Sequence, residues 1–484
     1  MMLAAELALA KIDVAILERR TSQELPGARA GGLHSRTIEI FDQRGIAERF
    51  LAEGQQTQPG YFAGVRLDIS DFPTRHPYAL GLWQNHIERI LAAWVGELGV
   101  TIYREREVIG FTQDETGVDV ELSNSESLRG EYLVGCDGGR SCIRKAACIE
   151  FPGWDATTSA IIAQVEVAEP PELGMRTDAI GTHGIGRLDY KIRDGQVVYA
   201  DSGPVRIMLT EAHVGPATEP TLDDLKQAMI AVYGTDFGLH SPTWISRFTD
   251  MTRQAAAYRD RRVLLAGDAA HVHSPDGAQG LQMGVQDAVN LGWKLAQVVN
   301  GTSPQSLLDT YHAERHPAAA RVLRTTMAHV ALRRPDERTA ALRDAIAEFL
   351  KNAEPRKQFA AKMFGLDIRY DFGEGHPLLG RRMPDLDLTT ANGPMRLFTL
   401  LHEARPVLLN LGAPGNFAGV SRPERIQLID ATYEGDWELP ALGAIAAPNA
   451  VLIRPDGHVA WVGDTTQDGL AEAMTTWFGS SRAP

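Results

Sequence analysis

The chain has 484 residues, 44% hydrophobic and 23% charged, the balance of an ordinary globular protein of about three domains by the usual ~150-residue measure. A net charge of −14 argues against nucleic acid or an anionic membrane as partner, and no run approaches the ~18 apolar residues that span a bilayer. The opening MMLAAELALA lacks the basic start of a secretion signal and carries Glu6, and the odd set Cys136, Cys142 and Cys148 fits no common zinc spacing. We expect a cytoplasmic protein whose cysteines are small buried hydrophobes.

Met1 to Ala10 reads as a helix, and Ile12 to Leu17 as a strand ending in Glu18-Arg19-Arg20. Helix, strand and terminal acid form the back half of a βαβ nucleotide-binding unit, whose acid takes a ribose hydroxyl about twenty residues beyond a G-x-G-x-x-G turn. The front half, a first strand and its glycine turn, is absent from the sequence as given. We expect Met1 to be an internal position with that half upstream. From Arg29, RAGGLHSRTIEIFDQRGIAERF gives a glycine turn and a helical stripe of Ile38, Phe41, Ile46 and Phe50. Arg29 and Arg36 are of the type that meets phosphate, although a lone arginine of this kind is more often a solvated surface charge.

Residues Tyr61 to Leu82, rich in Gly, Pro and aromatics, suggest a crossing into another domain. The aromatics at 61, 62, 78 and 83 suit a substrate pocket or a packed core about equally. A helix follows with Ile87, Leu91 and Val95 on one face and Gln84 near its start, within reach of a ligand. Residues 101–135 read as strands, the last ending in an acid-glycine turn, Cys136-Asp137-Gly138-Gly139-Arg140, with Arg144 in the helix beyond. Residues 158–250 alternate apolar and polar around one helix, Leu222 to Tyr233, as an inserted, mainly antiparallel sheet does.

The stretch Arg261 to Trp293 organises the rest. Val263 to Ala266 is a buried strand that delivers Gly267-Asp268 to a turn; a loop with Pro275 and Gly277 follows; a helix runs from Gly280 to about Gly301. Loop amides and the positive end of a helix can hold a phosphorylated or anionic cofactor, although a tight strand-to-helix connection alone looks similar. A helical region continues to about Met363, Tyr370 to Pro384 is a linker, and the last hundred residues are strand-rich. They include a Pro455-Asp456-Gly457 hairpin turn and a final helix with Leu470, Met474 and Trp477.

Four stretches, VGCDGGRSCIRKAA, RRVLLAGDAAHVHSPDGAQGLQMGVQDAVNLGWKLAQVVNG, LLDTYHAERHP and LIRPDGHVAWVG, together resemble the single-component flavoprotein aromatic hydroxylases of the p-hydroxybenzoate hydroxylase type. The likeness is to the branch acting on large polycyclic polyketides, which includes antibiotic-inactivating relatives. It implies an α/β fold: a Rossmann-like FAD-binding domain (1–68, 84–157 and 251–372) lacking its first strand, an inserted antiparallel-sheet substrate domain (69–83 and 158–250), and a thioredoxin-like domain without CxxC (373–484). It also implies FAD as cofactor, NADPH as co-substrate, and an aromatic small molecule and O2 as partners of a monomer or homodimer. Oxygen would reach the ring from a flavin hydroperoxide, so no catalytic acid-base residue is expected.

By the same resemblance, Asp268 bonds the ribityl chain of FAD, and the loop Pro275 to Leu281, with Gly277, Ala278, Gln279 and Gly280, presents backbone amides to the flavin pyrimidine. Glu18 takes the adenosine ribose with Arg19 beside it, Arg29 and Gln84 meet phosphate or ribityl groups, and Asp137 and Arg140 serve FAD and NADPH use. His271 and His273 are expected to be structural or to touch the flavin edge. The alternatives are an antibiotic-inactivating monooxygenase of tetracycline or rifamycin type, or an inactive remnant or binding protein without the pyrophosphate loop.

Overall fold

The computed structural model describes residues 1–484 apart from 26, 28, 59, 194, 195, 464–466 and 480–484. Helix α1 (Met2–Leu9) is buried from Met2 to Leu7 and has no polar face, so it must be enclosed. It lies on the long helix Gln279–Val299, whose Gly292 permits the approach: a Cβ there would stand 2.4 Å from the Cβ of Glu6. Glu6 meets Arg44 at 2.6 Å with both side chains buried, and burial holds its pKa above the usual carboxylate value despite that partner.

Strand β1 (Ala15–Glu18) leads to helix α2 (Ser35–Asp42), and Gly45, in the left-handed region at φ 69°, breaks the expected continuous stripe before Phe50. Ala79–Gly81, grouped by sequence with the inserted sheet, pairs instead with Gly32–Leu33 and Gln55–Thr57. Helix α3 (Gln84–Glu97) follows, then β2 (Thr101–Arg104), parallel to β1 and setting Glu18 opposite Arg104. Strand β3 (Leu133–Gly135) precedes the short helix α4 (Cys142–Ala146).

Next come β4 (Ser159–Glu166), β5 (Gly174–Thr177), β6 (Thr182–Arg187), β7 (Val205–Thr210) and β8 (His240–Thr249), an antiparallel sheet ordered β5-β6-β7-β4-β8. Its alternate residues Ile161, Ala163, Val165, Ile207 and Leu209 pack on Leu225, Met229 and Val232 of the helix Leu222–Tyr233. That helix opens on a Thr221–Asp224 capping box and stops at left-handed Gly234, which is why its bounds were legible.

Strand β9 (Val263–Leu265) is parallel to β3, and helix α5 (Gln279–Val299) and helix α6 (Asp309–Ala331) lie beyond it. No backbone bond joins the β1–β2 pair to the β3–β9 pair among the described residues. The C-terminal part is a six-stranded mixed sheet of β10 (Asp387–Thr390), β11 (Gly393–Arg396), β12 (Val407–Asn410), β13 (Gln427–Thr432), β14 (Ala450–Ile453) and β15 (Val459–Gly463), ordered β11-β10-β13-β12-β14-β15. Its period-2 pattern puts Leu408 and Leu452 against Met474 and Trp477 of helix α7 (Leu470–Phe478), and Val407, Leu409, Val451 and Ile453 into a second core on the other face.

The cysteines depart from expectation: Cys136 and Cys148 are exposed and Cys142 is half-buried. They stand at a strand end, a helix start and a helix end, where the chain turns at the surface; Cys142 Sγ reaches Val108 O at 3.3 Å. Among the described residues no helix is long and apolar enough to cross a membrane, and no three His, Cys, Asp or Glu side chains group to hold a metal ion.

Candidate functional site

The site is built on the turn after β9. Gly267 takes φ 62°, and its Cα packs against Gly284 of α5, where an added Cβ would stand 3.6 Å away. The turn is pinned from behind: the Gly267 amide donates to Asp287 Oδ2 at 3.0 Å, and His271 Nε2 meets the same oxygen at 2.7 Å. Asp268 points the other way. It is exposed and makes no hydrogen bond or ion pair within the described residues, a carboxylate held in place with its acceptors unspent.

After Pro275 the chain passes through two consecutive left-handed residues, Gly277 (φ 76°) and Ala278 (φ 52°), directly into α5, whose start has no side-chain cap. A non-glycine residue pays strain for that conformation, of the kind that collects at ligand sites. The result is an uncapped loop that leads its unspent amides into the positive end of a 21-residue helix. At its centre Gly280 faces Asp268 Oδ1 and His273 Nε2, so the turn and the helix start form one surface.

Both histidines are packed into the turn, and each keeps one buried ring nitrogen without a hydrogen-bond partner among the described residues, His271 Nδ1 and His273 Nε2. His271 is fully buried on Asp287. His273 shares a 2.5 Å contact between Nδ1 and Ser274 O, while its buried Nε2 has no partner; burial lowers its pKa, keeping the ring neutral.

Gln282, one turn into α5, ties this surface to the segment after Arg29. Its Oε1 accepts from the His34 amide (3.2 Å) and Thr37 Oγ1 (2.6 Å), and its Nε2 donates to Gly32 O (3.0 Å) and Ala278 O (3.2 Å). On that segment Gln84 Oε1 accepts the amides of Arg29 (3.1 Å) and Ala30 (3.2 Å), and Gln84 Nε2 donates to Glu88 (2.8 Å). Arg20 then bridges Glu88 (3.3 Å) and Glu18 (3.1 Å). Three sequence candidates, Glu18, Gln84 and Arg29, therefore lie on one polar chain. Burial alone would raise the Glu18 pKa, but the Arg20 amide and guanidinium outweigh it and the carboxyl is held low. The Arg29 guanidinium turns to Ser246 Oγ on β8 at 2.7 Å. Arg19 stands apart, exposed, 4.0 Å from Glu107.

Asp137 spends its oxygens on the start of α4, accepting from Ser141 Oγ (2.5 Å) and the amides of Cys142 (2.7 Å) and Ile143 (3.2 Å). Arg140 is exposed and donates to Ala217 O at 3.2 Å. The link between the two acid-glycine turns is Arg144, buried over the Phe151 ring, which donates to Gly139 O (2.9 Å) and Ala269 O (2.8 Å). Sequence reasoning named Arg20 and Arg144 without a role and missed Glu88, Gln282 and Asp287.

Of the four candidate pocket aromatics, only Trp83 meets the inserted sheet region. It donates to Leu188 O (3.0 Å), stands edge-on to Tyr190, and lies under the Arg206 guanidinium at 4.6 Å. Phe62 packs into a separate core with Phe359, Tyr78 sits on His76, and Tyr61 is exposed.

The residues present fit a flavin. The uncapped start of α5, the Asp268 carboxylate without a partner among the described residues and the unpartnered His273 Nε2 offer donors and acceptors to a planar, polar-edged, anion-forming group.

Comparison with known proteins agrees. Residues 1–326 match the FAD binding domain family and residues 376–481 the aromatic-ring hydroxylase C-terminal family. The chain is 42% identical to a 12-dehydrotetracycline 5-monooxygenase/anhydrotetracycline 6-monooxygenase of Streptomyces rimosus, over 99% of this chain and 96% of that one. It is 41% identical to a rifampicin monooxygenase of Streptomyces venezuelae, over 100% and 97%. It superposes on CabE, an aromatic hydroxylase from angucycline biosynthesis, with a TM-score of 0.89 at 36% identity, over 99% and 97%. FAD is the cofactor of such enzymes and NADPH their typical co-substrate. The chain belongs to the FAD-binding aromatic-ring hydroxylases and is a flavoprotein monooxygenase.

Proposed function

We propose that this monooxygenase hydroxylates a polycyclic aromatic of polyketide type. The start of α5, an uncapped helix end preceded by two left-handed residues and facing the Asp268 carboxylate, supports the flavin part of the reading, and the likeness to the anhydrotetracycline and angucycline hydroxylases supports the substrate class. Bound FAD would supply the redox chemistry: with NADPH as the two-electron donor, one atom of O2 would pass to an electron-rich ring and the other would leave as water.

The protein's part is to bind, orient and exclude water. The unspent amides of the loop from Pro275 to Leu281, which exclude Pro275 itself and Ala278, whose amide donates to Pro275 O, would hold the flavin pyrimidine, where the helix end would stabilise negative charge without a charged side chain. Asp268 accepts from a ribityl hydroxyl. Glu18, with Arg19 near it, takes the adenosine end, and Gln84 with Arg29 shapes the segment beside the phosphates. Asp137 and Arg140 support the neighbouring turn. The division into a Rossmann-like FAD-binding part, an inserted substrate sheet and a thioredoxin-like C-terminal part belongs to the same proposal. Trp83, with Arg206 and Tyr190, stands where the first two meet and offers a flat apolar wall to a fused-ring substrate.

Antibiotic inactivation is the second reading, supported by the rifampicin monooxygenase likeness. One experiment separates them. Protein loaded with FAD is given NADPH, 18O2 and, in turn, an anhydrotetracycline, an angucyclinone, a rifamycin and a simple phenol. We expect NADPH oxidation to accelerate with one of the polycyclic aromatics and the product to carry one 18O. Conversion of the rifamycin alone selects the second reading, and conversion of the phenol alone rejects both.

A further inference from the structure

The Pro455-Asp456-Gly457 turn has the sequence of a surface hairpin, yet every residue from Val451 to Ala460 is buried. Arg454, Asp456 and His458 are at most 1% exposed. Charges are not placed there for solubility, and each needs a partner. Arg454 and Asp456 find theirs in each other and on the two helices behind the candidate flavin turn, while the His458 ring packs on Tyr370. Arg454 makes two bonds of 2.8 Å to Glu314 of α6 and also pairs with Asp456. Glu314 is shared with α5, receiving Lys294 Nζ at 3.0 Å and Asn290 Nδ2 at 2.6 Å.

The next residue on α6, Arg315, turns the other way. Its Nε donates to Asp287 Oδ1 at 2.8 Å, while Oδ2 of that carboxylate holds the Gly267 amide and His271. Arg315 Nη1 also donates to Tyr370 Oη at 3.2 Å, and the Tyr370 ring stacks on His458 at 4.2 Å, back on the hairpin. Arg44, paired with Glu6 of α1, adds a bond of 2.8 Å to Pro455 O. Two routes thus run from the hairpin to adjacent residues of α6, and one of those residues fixes the carboxylate that holds the turn before Asp268.

We infer that Arg454 is a positioning residue for the turn Gly267–Ala269, acting through Glu314, Arg315 and Asp287, so that the C-terminal sheet sets the geometry of the candidate flavin surface. This rests on the flavin reading of that surface. In physical terms, removing Arg454 leaves Glu314 buried with only Lys294 and Asn290, and α6 must shift to recover solvation or a partner. Arg315 moves with it, and Asp287 loses its lateral constraint. A purely architectural role for the hairpin would instead confine the damage to the C-terminal sheet.

The test compares Arg454→Met and Glu314→Gln with Leu388→Ala, which opens a cavity in the C-terminal core at a residue outside the relay. Hydrogen exchange of the peptide 263–272 is measured in the FAD-free protein, and FAD affinity by fluorescence titration. The expected result is at least tenfold faster exchange in that peptide and at least tenfold weaker FAD binding for Arg454→Met, a smaller change of the same kind for Glu314→Gln, and neither for Leu388→Ala. Faster exchange restricted to the C-terminal sheet, with FAD affinity unchanged, overturns the inference. If Arg454→Met does not fold, Glu314→Gln decides on the same two readouts. Asp268→Ala separates the two claims. If it leaves FAD affinity unchanged while Arg454→Met loosens the turn, the flavin reading fails and the relay stands. If it weakens FAD while the relay variants change nothing, the relay fails and the flavin reading stands.

Discussion

Asp268 and Gly280 face each other across the start of α5 so that a methyl group on Gly280 would lie 3.6 Å from Asp268 Oδ1, an ordinary contact. The protein itself therefore has room for alanine at 280. Gly280→Ala is expected to leave thermal stability unchanged or slightly raised, since alanine favours helix by about 1 kcal/mol over glycine. FAD affinity is expected to fall about tenfold, because the methyl group projects into the surface assigned to the flavin. A melting curve with a FAD titration checks both signs.

Gln84 holds the segment after β1 by accepting two amides, those of Arg29 and Ala30. Gln84→Leu removes the acceptor. Because the amides lie near solvent and can be rehydrated, the stability cost is about 1 kcal/mol. The larger effect is expected in FAD retention during gel filtration, which the parent protein should pass with its flavin bound.

Arg144 joins the two acid-glycine turns with bonds to Gly139 O and Ala269 O. Lysine carries the charge but cannot fork to two carbonyls while lying over Phe151. Arg144→Lys is expected to lose about 2–3 kcal/mol in urea unfolding, within the range for breaking a buried network.

His34 is buried at the foot of the site, edge-on to Phe364, and burial lowers its pKa to about 4. The unfolded chain takes up a proton below its ordinary value of 6.5, whereas the folded protein does not until about 4. Stability is therefore full above 6.5 and declines as the pH falls from 6.5 towards 4, by up to about 1.4 kcal/mol per pH unit from this group. His34→Leu should flatten the decline over that window in urea unfolding at a series of pH values.

Much of this architecture was legible because short-range rules determine it. The helix Leu222–Tyr233 carries its own cap and stop, and the 261–293 stretch shows its apolar strand, acid-glycine turn and amphipathic helix in order. What stayed hidden depends on residues far apart in the chain. Gln282 reaches Gly32, Arg144 reaches Ala269, and Asp287 works through Arg315, contacts that no local pattern announces. The Pro-Asp-Gly signal correctly gave a turn, but its burial is decided by α5 and α6. The aromatics at 61, 62 and 78 were ambiguous for a related reason, since a pocket wall and a core use the same side chains.

The most direct test is the affinity of FAD for the parent protein and for Asp268→Ala, measured by equilibrium titration. Asp268 is exposed and unpartnered, so its loss should leave folding intact while removing one charge-assisted bond to the cofactor, worth about 1.5–3 kcal/mol. The flavin site assigned to the start of α5 predicts tight binding by the parent and a roughly tenfold to hundredfold weaker constant for the variant. Equal affinities in the two proteins would contradict it.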